Sequence, residues 1–255
     1  MKQEKREFEL SFPQERVTFI KTENFLDDND IELGKAFKNI EKEIRMGFIR
    51  KVYGILTTQL ALTTIMCIFS MISKSWAEFQ IHSPSLMWFF LILSISSLII
   101  LACVPGFVRN VPSNYIVTGV FTVSEGYLVS LLCSVSEPRL VFMAVSMTFC
   151  LTAALTVYAC TTKTDFTVYN SALFIGVCCL FLLGIFLAFS DNTFLNTLYC
   201  SLGIFIYSIY LIVDTQMICD TGKYSFESDD YLLAAINLYI DVINLFLYIL
   251  KILKR

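Results

Sequence analysis

Long apolar runs separated by short polar connections dominate the chain from residue 52 onward. A bilayer core about 30 Å thick needs about 20 helical residues, and seven runs approach that length. They cover residues 52–71, 86–104, 115–135, 140–160, 172–189, 194–213 and 232–253. Short connections favour antiparallel neighbours in a compact bundle. The pattern therefore predicts an all-α, polytopic membrane protein whose transmembrane bundle occupies residues 51–255.

The first 50 residues have a different pattern, in which charged residues alternate with single aromatic residues. This composition predicts a disordered cytosolic tail over residues 1–32. Apolar residues then recur at helical spacing, at Leu33, Phe37, Ile40, Ile44 and Phe48. They predict an amphipathic helix over residues 33–50 that lies at the membrane surface and leads into the first span. A solvated helix that merely precedes the span fits the same pattern.

Composition supports a membrane protein. Apolar and aromatic residues make up 56% of the chain and charged residues 16%, whereas soluble domains carry about 25% charged residues. The net charge of −3 is too small to indicate a nucleic-acid partner. The nine cysteines form no CxxC pair and the only histidine is His82, which argues against a zinc site. We interpret the cysteines mainly as small apolar packing residues.

The distribution of basic residues predicts the orientation. Four of them precede or enter the first span: Lys42, Arg45, Arg50 and Lys51. By the positive-inside tendency, the N-terminus is expected in the cytosol. Seven full crossings would then place Lys251, Lys254 and Arg255 on the other side, where such a cluster is disfavoured. A last helix that is buried or re-entrant, rather than lipid-facing, would remove this conflict.

Three acidic residues lie within or at the end of predicted spans. Asp241 is in the middle of the seventh, Glu125 is halfway along the third, and Asp214 is at the cytosolic end of the sixth. An isolated aspartate at the centre of a bilayer helix costs at least about 2.5–3.5 kcal/mol, so it normally faces the protein interior. Asp214 and Asp241 could meet if the last helix is offset or re-entrant. Two close carboxylates would share a proton near neutral pH.

Such a pair could act as a proton-sensitive latch, or it could line a path for Ca²⁺, which takes oxygen ligands. Structural roles remain open for each acid. Asp241 could cap a neighbouring helix or bond to Asn or Tyr, and Asp214 could reach lipid headgroups. For Glu125, functional and structural roles are equally well supported.

Enzymatic chemistry finds little support in the sequence. There is no P-loop and no GxGxxG motif, and His82 has no recognisable nucleophile motif near it. The short glycine motifs that accompany paired aspartates in intramembrane proteases are absent. We therefore expect neither an enzyme nor a bound cofactor.

Several segments resemble the transmembrane Bax inhibitor motif family, in its lifeguard branch. Residues 48–64, 112–130 and 151–166 resemble the first, third and fourth spans of that branch. Its most diagnostic C-terminal pieces are matched by residues 214–216, DTQ, and 238–250, LYIDVINLFLYIL. The resemblance covers residues 48 to 255.

The resemblance implies a seven-helix fold in which six helices surround a central C-terminal helix. It also implies a pH-sensitive di-aspartyl pair, at Asp214 and Asp241, which would hold Ca²⁺ only transiently. Glu125 would be an accessory acid. In a bacterial relative, an arginine near the end of the second helix engages the acidic pair, and Arg109 is the nearest candidate here.

The function implied by the resemblance is Ca²⁺ leak from intracellular stores together with inhibition of apoptosis. The expected partners are the lipid bilayer, Ca²⁺, protons and apoptosis-regulating membrane proteins. The endoplasmic reticulum or Golgi membrane is the expected location, and the plasma membrane is the alternative. A competing hypothesis is a non-conducting membrane protein that suppresses death signalling by binding a receptor or a pore-forming partner.

Overall fold

A computed structural model describes residues 28–104, 110–189, 192–219, 226 and 229–254. Eight α-helices lie within these ranges: α1 Asp28–Ile72, α2 Lys74–His82, α3 Pro84–Cys103, α4 Ser113–Ser134, α5 Pro138–Thr161, α6 Asn170–Ala188, α7 Thr193–Cys219 and α8 Tyr231–Leu253. A short 3-10 turn, Thr167–Tyr169, precedes α6. Among the described residues there is no strand, so the predicted all-α class is confirmed.

Seven of these helices, all except α2, are long and apolar enough to cross a membrane. The seven-span prediction is therefore confirmed. Pro84 and Pro138 lie in the first turns of α3 and α5, where a missing backbone N–H costs nothing. Those two prolines fix where the second and fourth spans begin.

The N-terminal part of the chain differs from the expected division into segments. A single helix, α1, runs without a break from Asp28 to Ile72, so the lead-in helix and the first span are continuous. Most of the tail predicted over residues 1–32 lies outside the described residues, and residues 28–32 already belong to α1. The short helix α2 was not expected, because its sequence is polar and its length is only nine residues.

The last helix, α8, is the centre of the bundle. Of its membrane-spanning window, 67% is buried, against 17% for α3, 17% for α5 and 11% for the α6 span. It packs against α7, α5 and α4. Since the outer helices present their apolar side chains outward, this arrangement confirms a bundle with a central C-terminal helix.

Contacts at its two ends show that α8 passes through the whole bundle. At one end, the Tyr231 hydroxyl lies 3.1 Å from the Tyr115 hydroxyl at the start of α4. At the other, the Lys251 ammonium lies 4.7 Å from the ring centroid of Tyr199 near the start of α7. We call these the proximal end (Tyr115, Tyr231) and the distal end (Tyr199, Lys251).

A helix of 23 residues is about 34 Å long, which is enough to cross a bilayer core. This length and the contacts at both ends are consistent with a full crossing, and the buried alternative is confirmed. The basic end of α8 lies at the distal end, where the aromatic ring of Tyr199 supplies a partner for Lys251. A cytosolic N-terminus stays a prediction from the basic residues alone.

Candidate functional site

Asp214 of α7 and Asp241 of α8 come together inside the bundle, where their carboxyl groups hydrogen-bond each other. Only 8% of Asp214 and 4% of Asp241 is exposed. The predicted sixth span ended at residue 213, but α7 continues to Cys219. Asp214 consequently lies five residues before the end of the helix, and its burial turns it toward the protein interior.

A hydrogen bond between two carboxyl groups requires a proton on one of them. Within the described residues, no lysine or arginine acts on either acid, and Asp241 Oδ2 is buried with no hydrogen-bond partner. Two unpaired negative charges would be costly in such a setting. A proton shared between the two carboxyl groups would relieve this cost, and Asp241 Oδ2 has no hydrogen-bond partner.

The contact between α7 and α8 continues as a row of tyrosines from the acidic pair toward the distal end. Tyr207 and Tyr210 of α7 lie within electrostatic range of Asp241. The ring of Tyr207 packs on that of Tyr248, with centroids 5.8 Å apart, and the Tyr248 hydroxyl donates to the Tyr199 hydroxyl at 3.2 Å. The interface between the two helices is thus polar along much of its length.

Glycine makes part of this interface possible. A Cβ added at Gly203 of α7 would lie 2.6 Å from a ring carbon of Tyr248 of α8, closer than carbon atoms can approach. The absence of a side chain at Gly203 therefore lets the tyrosine ring of α8 pack directly against the backbone of α7.

Glu125 does not join the pair. It lies on α4, and its carboxylate accepts a hydrogen bond of 2.5 Å from the hydroxyl of Ser94, a buried residue of α3. Glu125 is only half-buried. Its role as an accessory acid stays a prediction. Arg109, the candidate partner of the acidic pair, lies outside the described residues.

An arginine that the sequence indicated only as an orientation signal contacts the end of α7. Arg45 of α1 donates from Nη1 to the carbonyl of Phe226 at 3.0 Å and from Nη2 to the carbonyl of Met217. Its guanidinium carbon also lies 4.9 Å from the ring centroid of Phe48. Arg45 thereby ties the proximal end of α1 to the α7 turn that follows Asp214.

A second polar cluster joins α1, α4 and α8 on another face of the central helix. Gln59 Nε2 donates to Thr122 Oγ1 at 2.9 Å, and the Thr63 hydroxyl lies 2.8 Å from the Tyr239 hydroxyl. All four residues are buried. Because Thr63 donates to the Gln59 carbonyl at 3.0 Å, Tyr239 is the donor in the contact with Thr63. A glutamine within an apolar span was the available signal for this cluster.

A third polar cluster lies at the distal end. Gln80 of α2, only 1% exposed, accepts a hydrogen bond from Ser70 of α1 and donates to Ser130 of α4 at 3.1 Å. One amide side chain thus fastens the short helix α2 to two spans. No sequence signal distinguished Gln80 from the solvated polar residues around it.

No group of three or more His, Cys, Asp and Glu residues that could hold a metal ion occurs among the described residues. The acidic pair supplies at most four carboxylate oxygens, while Ca²⁺ takes six to eight oxygen ligands. Asp214 and Asp241 alone therefore do not fill the coordination shell of a Ca²⁺ ion.

Comparison with known proteins places these features in a family. The family model described as "Inhibitor of apoptosis-promoting Bax1" matches residues 45–255. Protein lifeguard 4 of Mus musculus is 30% identical over 227 residues, which are 89% of this chain and 92% of that protein. The BI1-like protein of Arabidopsis thaliana is 30% identical over 239 residues, 89% of this chain and 91% of that protein. Protein lifeguard 3 of Homo sapiens is 28% identical over 218 residues, 84% and 70% of the two chains.

Proposed function

Because the chain belongs to the Bax inhibitor family, we propose that it negatively regulates apoptosis and leaks Ca²⁺ from intracellular stores in a pH-sensitive way. Membership rests on the match over residues 45–255 and on relatives named lifeguard that align over most of the chain. The ion leak and its pH dependence go further than this membership, and their support comes from the acidic pair.

The observation that carries the proposal is the contact between two buried carboxyl groups on the two helices that meet at the bundle centre. Removing the shared proton would leave two like charges in contact, and adding a second proton would neutralise the pair. Either change alters the attraction between α7 and α8. Protonation would thereby bias the equilibrium between closed and open arrangements of these helices.

Calcium is the proposed cargo because carboxylate oxygens are the ligands that this hard cation prefers. A leak needs an ion site weak enough to release the ion. Two carboxyl groups with one oxygen lacking a partner meet this requirement better than a full coordination shell would. Asp241 would be the central acid of the path, and Asp214 would be its proton-sharing partner.

Reconstitution tests the leak directly. We expect the purified full chain in liposomes to release entrapped Ca²⁺ faster than empty vesicles do, at a rate that changes between acidic and neutral pH. An indicator dye outside the vesicles would measure the release. A rate no higher than that of empty vesicles across this pH range would contradict conduction.

The competing function is a non-conducting protein that suppresses death signalling by binding a receptor or a pore-forming partner. The burial of Asp214 and Asp241 favours it, because this conformation gives solvent almost no access to either acid. A variant without ion flux distinguishes the two functions. Protection of cells by a variant that has lost all liposome flux would support binding over conduction.

We place the protein in the endoplasmic reticulum or Golgi membrane, with the N-terminus in the cytosol, and the plasma membrane is the alternative. The support for this orientation is the basic cluster before the first span. An N-terminal tag should be accessible to antibody once the plasma membrane alone has been permeabilised. A tag that becomes accessible only after internal membranes are dissolved would reverse the orientation.

A further inference from the structure

Two cysteines from different spans meet at the proximal end of the bundle. Cys160 lies in the last turn of α5 and Cys219 is the last residue of α7, and their sulfur atoms are 3.4 Å apart. Both are thiols. We propose that Cys160 and Cys219 are a redox modification site, at which a small disulfide or peroxide oxidant forms a reversible intramolecular disulfide.

The geometry needs little change to form that bond. A disulfide holds its sulfur atoms about 2.0 Å apart, so these two must approach by about 1.4 Å. Helix ends allow such a shift more readily than helix interiors, because the last turn has fewer backbone hydrogen bonds to lose. Formation of the bond therefore requires no rearrangement of the spans.

Two hydrogen bonds beside the thiols hold α7 and the loop after α5 together. Gln216 of α7 donates from Nε2 to the Thr164 carbonyl at 2.8 Å, and its Oε1 accepts from the Phe166 backbone N–H at 2.9 Å. Both ends of one amide therefore fix the loop after α5 against α7. With the loop fixed, the conformational entropy lost on closing the disulfide is small.

The thiols are also accessible. They line a cavity of about 350 Å³ whose wall includes Lys163, Thr164, Asp165 and Gln216. The Cys160 side chain is exposed and that of Cys219 is partly exposed. A cavity of this size and polarity admits water and small polar molecules, so an oxidant can reach the sulfur atoms.

A second pair of cysteines shows what distinguishes this site. Cys67 of α1 and Cys133 of α4 also lie near each other. These two, however, are buried in the apolar core, with exposures of 9% and 0%. In both pairs two cysteines are neighbours, but only Cys160 and Cys219 are accessible to an oxidant.

With oxidised glutathione as the oxidant, the disulfide between Cys160 and Cys219 forms in two thiol–disulfide exchange steps. The thiolate of one cysteine attacks a sulfur of the glutathione disulfide, which forms a mixed disulfide and releases one glutathione thiolate. The second cysteine, as its thiolate, then attacks the protein sulfur of the mixed disulfide and releases the other glutathione thiolate. The two protein thiols lose two electrons and two protons, and one glutathione disulfide becomes two thiols.

If the proposed Ca²⁺ leak is correct, this disulfide would regulate it. Cys219 follows Asp214 by five residues on the same helix, so a bond to α5 would tether the segment of α7 that carries the acid. Separation of α7 from α8 would then be restrained, and the leak would slow on oxidation. Excess glutathione would reverse the effect. With the N-terminus in the cytosol, as proposed above, the pair would lie on the reducing side, where disulfides are transient and regulatory rather than permanent.

The redox step can be tested without any flux measurement. The purified full chain is equilibrated with glutathione at a series of oxidised-to-reduced ratios, remaining thiols are blocked with maleimide, and peptides are analysed by mass spectrometry. We expect a peptide pair linked through Cys160 and Cys219, with loss of maleimide at both, and full recovery of labelling after reduction. The Cys67 and Cys133 thiols should form no such linked pair.

Cys178→Ser, which removes an exposed cysteine of α6, is the matched control and should leave the linked peptide unchanged. Cys160→Ser and Cys219→Ser should each abolish it. Maleimide labelling of Cys160 that stays complete in the most oxidising buffer would overturn the proposal, and so would preferential linkage of either cysteine to a different residue.

The regulatory step has its own readout. The leak from liposomes should fall on oxidation for the wild type and stay constant for Cys160→Ser. A linked peptide with an unchanged leak would refute the regulation and leave the redox pair standing. A wild type without any leak would refute the proposed function and leave the peptide result untouched.

Discussion

The carboxyl group of Asp214 on α7 hydrogen-bonds the carboxyl group of Asp241 on the central helix α8. The two residues are 27 positions apart in sequence and are joined through the connection at the proximal end. Because α8 passes through the whole bundle, the pair forms by the ordinary packing of two antiparallel helices. No offset or re-entrant helix is needed.

The first prediction concerns this pair. Asp241→Asn keeps the size of the side chain and its capacity for hydrogen bonding, but it removes the charge and the titrating group. We expect Ca²⁺ flux in liposomes to fall sharply and to lose most of its pH dependence. Asp214→Asn should change the pH response more than the maximal flux, because Asp241 would still supply the central acid.

Glu125→Gln is the matched control for both variants, since it makes the same acid-to-amide change in another span. We expect a smaller loss of flux and a retained pH response, because Glu125 bonds Ser94 rather than the pair. Unchanged flux and unchanged pH response in Asp241→Asn would refute the proposed role of Asp241.

The second prediction concerns the contact of Gly203 with Tyr248. Gly203→Ala would place a methyl group 2.6 Å from the ring, which forces the ring or the helix to move. Overpacking of this kind costs about 1–3 kcal/mol, so the melting temperature in detergent should fall. Gly54→Ala is the control, because no atom lies within 4 Å of the added Cβ there. Equal melting temperatures for the two variants would show that the interface between α7 and α8 has room for the added methyl group.

A third prediction tests the buried cluster around Tyr239. Tyr239→Phe removes the hydroxyl that bonds Thr63 but keeps the ring, which packs edge-on against Phe121 with centroids 5.9 Å apart. Interhelical hydrogen bonds in membranes contribute about 0.6 kcal/mol on average. We expect a loss of stability of that order in an unfolding titration.

Tyr169→Phe, at an exposed position in the 3-10 turn, should change stability less. A double-mutant cycle with Thr63→Val isolates the Tyr239 contact from other effects of each change. A coupling energy of zero would mean that the hydroxyl pair does not stabilise the fold.

The fourth prediction concerns the attachment of α2. Gln80→Leu removes the amide that links Ser70 and Ser130, so α2 should be held to the bundle less firmly. Backbone amides of α2 should then exchange with deuterium faster, while those of α4 should not change. Glu78→Gln, on an exposed face of the same helix, is the control. Equal rates of deuterium exchange in α2 of the wild type and of Gln80→Leu would show that Gln80 does not hold α2 to the bundle.

The spans could be predicted from the sequence because bilayer thickness fixes the length of each apolar run, and Pro84 and Pro138 mark two of the starts. The position at which α7 ends could not be predicted from the sequence. Hydropathy falls at Asp214-Thr215-Gln216, but the helix continues because Asp214 has a partner in α8 and Gln216 bonds the loop after α5. Tertiary contacts thus extend a helix beyond the point where its own composition would end it.

The acidic pair was predictable because a charge in a span must find a partner. Uncharged polar groups give a weaker signal. The burial of Gln80 depends on Ser70 and on Ser130, which lies 50 residues away in sequence, and serines are common in these spans. The contact of Cys160 with Cys219 was missed for a similar reason. Cysteine is common at both lipid-facing and packing positions, and the amino-acid sequence does not show which two thiols lie close together.

The central position of α8 has a consequence for biosynthesis. The ribosome makes α1 to α7 before it makes the helix that they surround, so those helices enter the membrane without their common packing partner. The packing of α4, α5 and α7 on α8, and the hydrogen bond between Thr63 and Tyr239, can form only after α8 has been synthesised. Chains that stop before residue 231 would therefore hold inserted helices with no nucleus to assemble on, and they should be prime substrates for membrane-protein degradation.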